Sequence, residues 1–309
     1  MSSVQTHPVG VLVMAYGTPG SPEQVEGYYT HIRRGRPPAA EQLDDLVRRY
    51  DAIGGISPMR ERTLAQLGAI EKSLDRSRPG GFVVALGQKH AAPFIENGVQ
   101  SLALDEVSRI VGVVLAPHFS RASVGEYHKR AATVAAEIGV PYVGIDDWSL
   151  EPELISYTAK ALSKRIAVMP ERTKVVFTAH SLPERSLVDD PYPERLHASA
   201  EAVAEKVGLS RWAGWGLGWQ SAGRTNDAWR GPDILTVIRD LAETGRSEGI
   251  IVVPQGFTSD HLEVLYDLDI EASAVAKECG LAFTRTDVVN DDPAVMAAIA
   301  RRIEALDPQ

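Results

Sequence analysis

The sequence predicts an α/β fold of two Rossmann-like halves. Each is a parallel sheet flanked by helices, with a cleft between them. Three observations carry this expectation. Short, nearly unbroken apolar runs recur along the chain, as in parallel strands buried on both faces. Longer stretches with helical spacing separate them, so strand and helix alternate. The alternation runs through twice, on either side of a turn-rich stretch at Asp146–Pro152 (DDWSLEP). The division is placed there, giving a first half over residues 1–148 and a second over 149–309.

The apolar runs are Val9–Ala15, Phe82–Leu86, Ile110–Ala116 and Tyr142–Ile145 in the first half. In the second they are Val175–Ala179, Ala213–Leu217 and Gly249–Pro254. Helical spacing marks Leu64–Leu74, Tyr127–Ile138, Pro152–Val168, Pro193–Val207 and Pro232–Thr244. There is no close internal repeat and no low-complexity tract. The cluster of Trp212, Trp215, Trp219 and Trp229 is expected to form core or cleft wall.

In open α/β sheets, ligands bind beyond the carboxyl ends of the strands. Those ends carry unusual chemistry here. The first run leads into Tyr16-Gly17-Thr18-Pro19, the second into Gly87-Gln88-Lys89-His90 and the third into Pro117-His118-Phe119-Ser120. Val175–Ala179 leads into His180-Ser181, and the last run into Gly256-Phe257-Thr258-Ser259-Asp260-His261 and Glu263. Polar and metal-capable side chains therefore collect along one edge.

His180 reads either as a histidine satisfied by a neighbouring loop or as a functional base and metal ligand. Neutral imidazole suits ferrous iron, and histidine takes a proton near neutral pH. Glu263 has a structural alternative too, because Asp260-x-x-Glu263 fits a capping box. Glu263, Asp267 and Glu271 recur every fourth residue, and at 3.6 residues per turn they drift only about 40° per step. Like charges so spaced cost a helix roughly 0.2–0.5 kcal/mol per pair. The row is either a solvated face or a cation track. The segment Tyr28–Pro38 (YYTHIRRGRPP), echoed by Arg48-Arg49-Tyr50, is the densest basic patch. It reads as a solvated loop or as a clamp for a flat ligand bearing several carboxylates, since arginine grips carboxylates bidentately.

Composition narrows the class. A net charge of −9 argues against a general nucleic-acid binder. One cysteine, Cys279, excludes an intrachain disulfide and a cluster held by several cysteines, and suits a reducing compartment. The opening MSSVQTHPVGVLVMAYG lacks the pattern of a signal peptide, and no apolar run approaches the ~20 residues of a membrane span. A soluble cytoplasmic monomer is expected. No G-x-S-x-G elbow occurs, no G-x-G-x-x-G follows the first strand, and G-x-x-x-x-G-K-[ST] is absent. Hydrolase, dinucleotide and nucleoside-triphosphate readings thereby lose their main support.

Taken in order, VMAYGTP, YYTHIRRGR, RRYDAIGGISP, LAPHFS, FTAHSLPER and GFTSDHLEVLYDLDIE resemble the ferrochelatase family, most of all its short Gram-positive members. The likeness runs from about residue 9 to about residue 275. It implies insertion of Fe2+ into coproporphyrin III, with protoporphyrin IX as the alternative ring. A non-catalytic tetrapyrrole or iron carrier and a cobalt or sirohydrochlorin chelatase are the rival readings. By resemblance, His180 and Glu263 bind or deliver iron on one side of the ring and handle pyrrole protons. Tyr16 ligates iron from the opposite side. Arg33, Arg49, Tyr50, Ser57 and Tyr127 contact the porphyrin or its propionates, and Asp267 and Glu271 form a carboxylate row behind the site. The first half would then be the porphyrin clamp and the second the metal side. Fe2+ is expected as substrate, with no tightly bound cofactor, no iron–sulfur cluster and no membrane-associating extension. A transient handover to the next haem-pathway enzyme is the implied partnership.

Overall fold

The first run forms β1 (Val9–Ala15), all seven residues of which are buried. It is followed by α1 (Val25–Ile32), α2 (Ala40–Ala52), α3 (Met59–Ser77), β2 (Phe82–Gln88), α4 (Ile95–Leu104), β3 (Ile110–Val114), α5 (Val124–Glu137) and β4 (Tyr142–Ile145). Beyond the turn-rich stretch come α6 (Pro152–Ile166), β5 (Thr173–His180), α7 (Tyr192–Val207), β6 (Trp215–Gln220), α8 (Ile234–Thr244) and β7 (Gly249–Val253). The chain ends with α9 (Leu262–Leu265), a π-helical turn (Asp267–Ala272), α10 (Ser273–Glu278), β8 (Ala282–Arg285) and α11 (Pro293–Ala305). This computed structural model describes residues 7–210, 214–223 and 225–307. Ala213, Trp212 and residues 1–6 lie outside the described residues.

Two four-stranded sheets result, ordered β2-β1-β3-β4 and β6-β5-β7-β8. Every pairing within them is parallel. The alternation read from the sequence is thus the same doubly wound unit built twice. The central strands β1, β3 and β7 are buried along their whole length, which is why they read as unbroken apolar runs. β8 was not anticipated. It is a four-residue edge strand, half-buried throughout, and carries too little apolar signal to stand out. α1 and α2 were also unanticipated. α1 overlaps the Tyr28–Pro38 segment, read as a solvated loop or a clamp, and places two tyrosines toward the cleft, while α2 follows it.

The halves are joined by more than the connecting turn. One core cluster combines Val9, Val11 and Val13 of β1, Ile70 and Leu74 of α3, and Val295, Met296, Ile299 and Ile303 of α11. The last helix therefore leaves the second sheet and packs against the first. Its N-terminus is capped by Asp292, whose carboxylate accepts from the amides of Ala294 and Val295. Arg78 donates to Asp307 at 2.8 Å and fastens the far end. Cutting Ile299 back removes buried aliphatic volume from that seam. Ile299→Ala is expected to cost about 2–5 kcal/mol of stability, read as a lower urea midpoint.

Candidate active site

The strand ends enclose one large cleft of about 560 Å3 between the two halves. On the first-half wall, β1 ends at Ala15 and turns through Tyr16 and Gly17. Gly17 has φ +91, and a Cβ there would stand 2.9 Å from the backbone of Ala91. Only glycine fits that bend, and it lets Tyr16 turn into the cleft. Tyr28 of α1 braces the bend by donating its hydroxyl to the Gly17 carbonyl at 3.0 Å. Tyr50 at the end of α2 and Tyr127 on α5 are buried against the same wall. Ser57 accepts from the Met59 amide at 3.2 Å and starts α3. Lys89 pairs with Glu126 at 2.7 Å and sits 5.3 Å from the Tyr127 ring centre. Tyr50 is pushed up to about 12 by burial, so it presents a neutral hydroxyl. Tyr16 is raised as well, by burial and then by the charge of Glu263.

On the second-half wall, His180 is the last residue of β5 and Glu263 sits in the first turn of α9. Their side chains meet at 3.5 Å, Nε2 to Oε1, each about one-third exposed to the cleft. His180 Nδ1 lies 2.5 Å from the Ser181 carbonyl. That oxygen only accepts, so Nδ1 carries a proton and Nε2 is left to face Glu263. Burial opposes a charge on His180. The Glu263 carboxylate, the Ser181 carbonyl and Asp267 outweigh it and raise the imidazole to about 9. Glu263 moves the other way. Burial would raise it, but His180 and His261 together hold it well below the usual carboxylate range. His261 Nε2 stands 3.6 Å from the second Glu263 oxygen. At neutral pH the resting pair is imidazolium and carboxylate. The capping-box alternative for Glu263 is not realised: α9 is preceded by His261 with no side-chain cap, and Asp260 bonds Asn290 and Arg285 instead.

The carboxylate row also departs from the spacing argument. Asp267 to Ala272 form a π-helical turn, so the drift calculated for 3.6 residues per turn does not describe it. An inserted residue widens the turn. Asp267 lines the cleft beneath Glu263. Burial and the Glu263 charge raise its pKa to about 7, against smaller opposite effects of Ser221 and Arg49. Ser221 donates to Asp267 at 2.5 Å, and Arg49 reaches it at 3.5 Å. Glu271 is outside the cleft lining, 3.8 Å from Arg49. Among the described residues, no three His, Cys, Asp or Glu side chains converge on a single metal point.

Of the residues singled out from sequence, Tyr16, Arg49, Tyr50, Ser57, Tyr127, His180, Glu263 and Asp267 all line the cleft. Arg33 does not. It bonds the Arg36 carbonyl and lies 5.6 Å from the Tyr29 ring centre. Arg49 is already engaged, with Asp45 at 3.0 Å and the Tyr266 ring at 4.8 Å. Sequence reasoning named Tyr28 only within the Tyr28–Pro38 segment and His118 and His261 only among the strand-end residues, and it passed over Tyr192; all four line the cleft. For His261 the signal was present, because it stands two residues before Glu263 in the same motif. Tyr192 carried none. Its hydroxyl reaches the His180 carbonyl at 3.4 Å only once α7 is packed.

The ferrochelatase family model matches residues 8–306. A coproporphyrin III ferrochelatase of Geobacillus sp. (strain WCH70) is 42% identical over 299 residues, covering 94% of this chain and 96% of its own length. That of Bacillus subtilis (strain 168) is 42% identical with the same coverage. That of Halalkalibacterium halodurans is 43% identical over 302 residues, 96% of each chain. Among solved structures, SirB from Bacillus subtilis with Fe3+ superposes with a TM-score of 0.57 at 13% identity, covering 96% of this chain and 94% of its own. CbiX, described as the terminal enzyme for siroheme biosynthesis in denitrifying bacteria, gives 0.55 at 16% identity over 97% of this chain and 100% of its own. At such identities these two likenesses show the fold alone.

His118 makes the cleft floor sensitive to acid. It is 3% exposed, and its Nε2 lies 2.7 Å from the Ser199 hydroxyl. Burial lowers it from 6.5 to about 4, with Asp147 pulling weakly the other way. The unfolded chain takes the proton near 6.5 and the folded chain refuses it until about 4. Its contribution is therefore intact above pH 6.5 and declines as pH falls toward 4. Urea midpoints of the wild type are expected to drop between pH 7 and 5, and His118→Gln, which cannot take the proton, is expected to drop less. Equal slopes would place the acid sensitivity elsewhere.

Proposed function

Since the chain belongs to the ferrochelatase family, we propose that it inserts Fe2+ into coproporphyrin III in haem biosynthesis, with His180 and Glu263 as the metal and proton pair. What carries this reading is the His180–Glu263 contact at 3.5 Å, between the end of β5 and the first turn of α9, in a cleft that Tyr16 of the other half also lines.

A planar porphyrin shields its nitrogens, and two of them carry protons. Metal entry needs a bent ring, a proton acceptor, and a metal held firmly enough to shed water yet loosely enough to leave. The fixed Nδ1 proton on His180 leaves Nε2 as the ligand atom, so iron binding there must displace the Nε2 proton. Glu263 offers the adjacent oxygen and balances the cation's charge. As iron passes to the ring, one pyrrole proton returns to His180 Nε2 and restores its ion pair with the Glu263 carboxylate, while the second passes through Glu263 and leaves it ionised again. Asp267, with its pKa near 7, is suited to relay those protons outward.

The tyrosine-rich wall suits the flat ring, and Tyr50, Ser57, Tyr127 and Arg49 offer donors to peripheral carboxylates, with Arg33 held beside Tyr29 outside the lining. Those contacts can offset ring distortion of about 1–5 kcal/mol. Tyr16 ligates the product iron from the face opposite His180. Fe2+ is a substrate in this scheme, and no tightly bound cofactor enters it. The reading extends to a cytoplasmic monomer that hands its product to the next haem-pathway enzyme, and to a division at residue 148/149 between porphyrin and metal sides. A single cysteine supports the reducing compartment. Among the described residues, no helix is long and apolar enough to cross a membrane.

His180→Ala and Glu263→Ala are each expected to lower iron insertion by orders of magnitude while circular dichroism stays native; near-normal turnover in either would end that residue's role. Tyr16→Phe should shift the visible spectrum of bound ferric product, and an unchanged spectrum would remove Tyr16 as ligand. Side-by-side rates under Fe2+ should favour coproporphyrin III over protoporphyrin IX. The reverse preference would assign the ring wrongly.

A further inference from the structure

The turn that carries Asp267 is wider than an α-helix, and such turns are rare and short. The Tyr266 carbonyl accepts from both Ile270 at 3.2 Å and Glu271 at 3.0 Å. Two grips hold this turn from opposite sides. From α2, Arg48 donates to the Tyr266 hydroxyl at 2.7 Å and Arg49 to Asp267 at 3.5 Å. On the other side stands Arg285, the last residue of β8. Its Nε donates to one Asp269 oxygen at 2.6 Å and its Nη2 to the other at 2.8 Å. The same Nη2 reaches Asp260 Oδ1 at 3.4 Å, and Nη1 donates to the Thr286 carbonyl at 3.1 Å. Asp260 is fixed in turn by Asn290. Its amide donates to Oδ1 at 2.9 Å, and its second oxygen accepts from Nδ2 at 2.8 Å.

One guanidinium thus holds the chain three residues before Glu263 and two residues after Asp267. Its side chain is only 14% exposed, and it does not line the cleft. We infer that Arg285 is a positioning residue for the metal-handling carboxylates: by tying Asp260 to Asp269 it sets where Glu263 and Asp267 stand relative to each other. The inference rests on the reading that Glu263 and Asp267 handle the cation. It follows from a general property of metal sites, in which outer partners orient the ligands. Lysine can substitute only in part, since a single ammonium cannot make the planar two-pronged contact with Asp269 while also reaching Asp260.

The test uses R285Q, R285K, D269N and the R285Q/D269N double variant, with E263A as reference. Steady-state KM values for Fe2+ and for coproporphyrin III are measured separately, and Co2+ is titrated into each enzyme without porphyrin and followed by its visible absorption. R285Q and D269N are each expected to raise the metal KM and weaken Co2+ binding about tenfold, the lower end of what outer-partner losses cost. The porphyrin KM stays within about twofold, because its wall is not touched. R285K recovers part of the loss. The double variant is no worse than the worse single, because both changes break one unit. Unchanged metal KM and Co2+ binding in R285Q and D269N would overturn the inference, as would equal rises in both KM values. If R285Q fails to fold, D269N decides by the same criteria. Wild-type turnover abolished in E263A but untouched in R285Q and D269N would sink the positioning role and leave the function standing. A wild type without turnover would sink the function, with the Co2+ titration still deciding the role of Arg285.

Discussion

An imidazolium and a carboxylate held 3.5 Å apart at the lip of a cleft depend on two separate chain segments arriving at one place. His180 is delivered by the end of β5, and Glu263 by the turn that follows the neighbouring strand β7. Parallel pairing brings both strands to the same edge, which is why a doubly wound sheet gathers chemistry there. The rest of the site is arranged around this pair. The Ser181 carbonyl fixes the tautomer of His180, Gln220 donates to the Glu263 carbonyl at 2.8 Å, and His261 flanks the second carboxylate oxygen. Each contact removes a way for the pair to drift.

The pair also sets the charge state of its neighbours. Asp267 sits beside a carboxylate that stays ionised, so its own proton is retained until about pH 7. Two carboxyl groups in one enclosed site rarely both ionise. Here the split follows from their partners: Glu263 faces two histidines, whereas Asp267 faces a serine and one shared arginine. Separated acidities of this kind allow one group to hold a cation and the other to exchange a proton near neutral pH.

Much of this was legible in the sequence, for identifiable reasons. The strands were visible because both faces of β1, β3 and β7 are buried, which forces apolar residues at every position. His180, Glu263 and Tyr16 were visible because each follows such a run. The structural alternatives for His180 and Glu263 were equally legible, and the motifs rather than the spacing decided between them. The π-helical turn was not readable, since apolar periodicity does not register one inserted residue. Arg285 was hidden for a related reason. It belongs to a short edge strand with weak patterning, and its partners Asp260 and Asp269 lie far from it along the chain. Arg49 was found, but its engagement with Asp45, Asp267 and Glu271 depends on how α2 meets the π-helical turn across the cleft.

The way the halves are joined bears on how binding energy can be used. Along the cleft floor, Gln66 of α3 donates to the carbonyls of Thr258 and Asn290 at 3.1 and 3.0 Å. Thr258 donates back to the Leu115 carbonyl at 2.7 Å, and Asp190 accepts from the Arg121 amide at 2.7 Å. With α11 packed across the seam, these buried bonds resist any change in the width of the floor. A cleft that yielded to a planar ring would spend ligand contacts on its own rearrangement, whereas a preorganised one directs them to the ligand. For a reaction whose obstacle is the flatness of the substrate, a rigid floor beneath a tyrosine-rich wall lets peripheral contacts act on the ring.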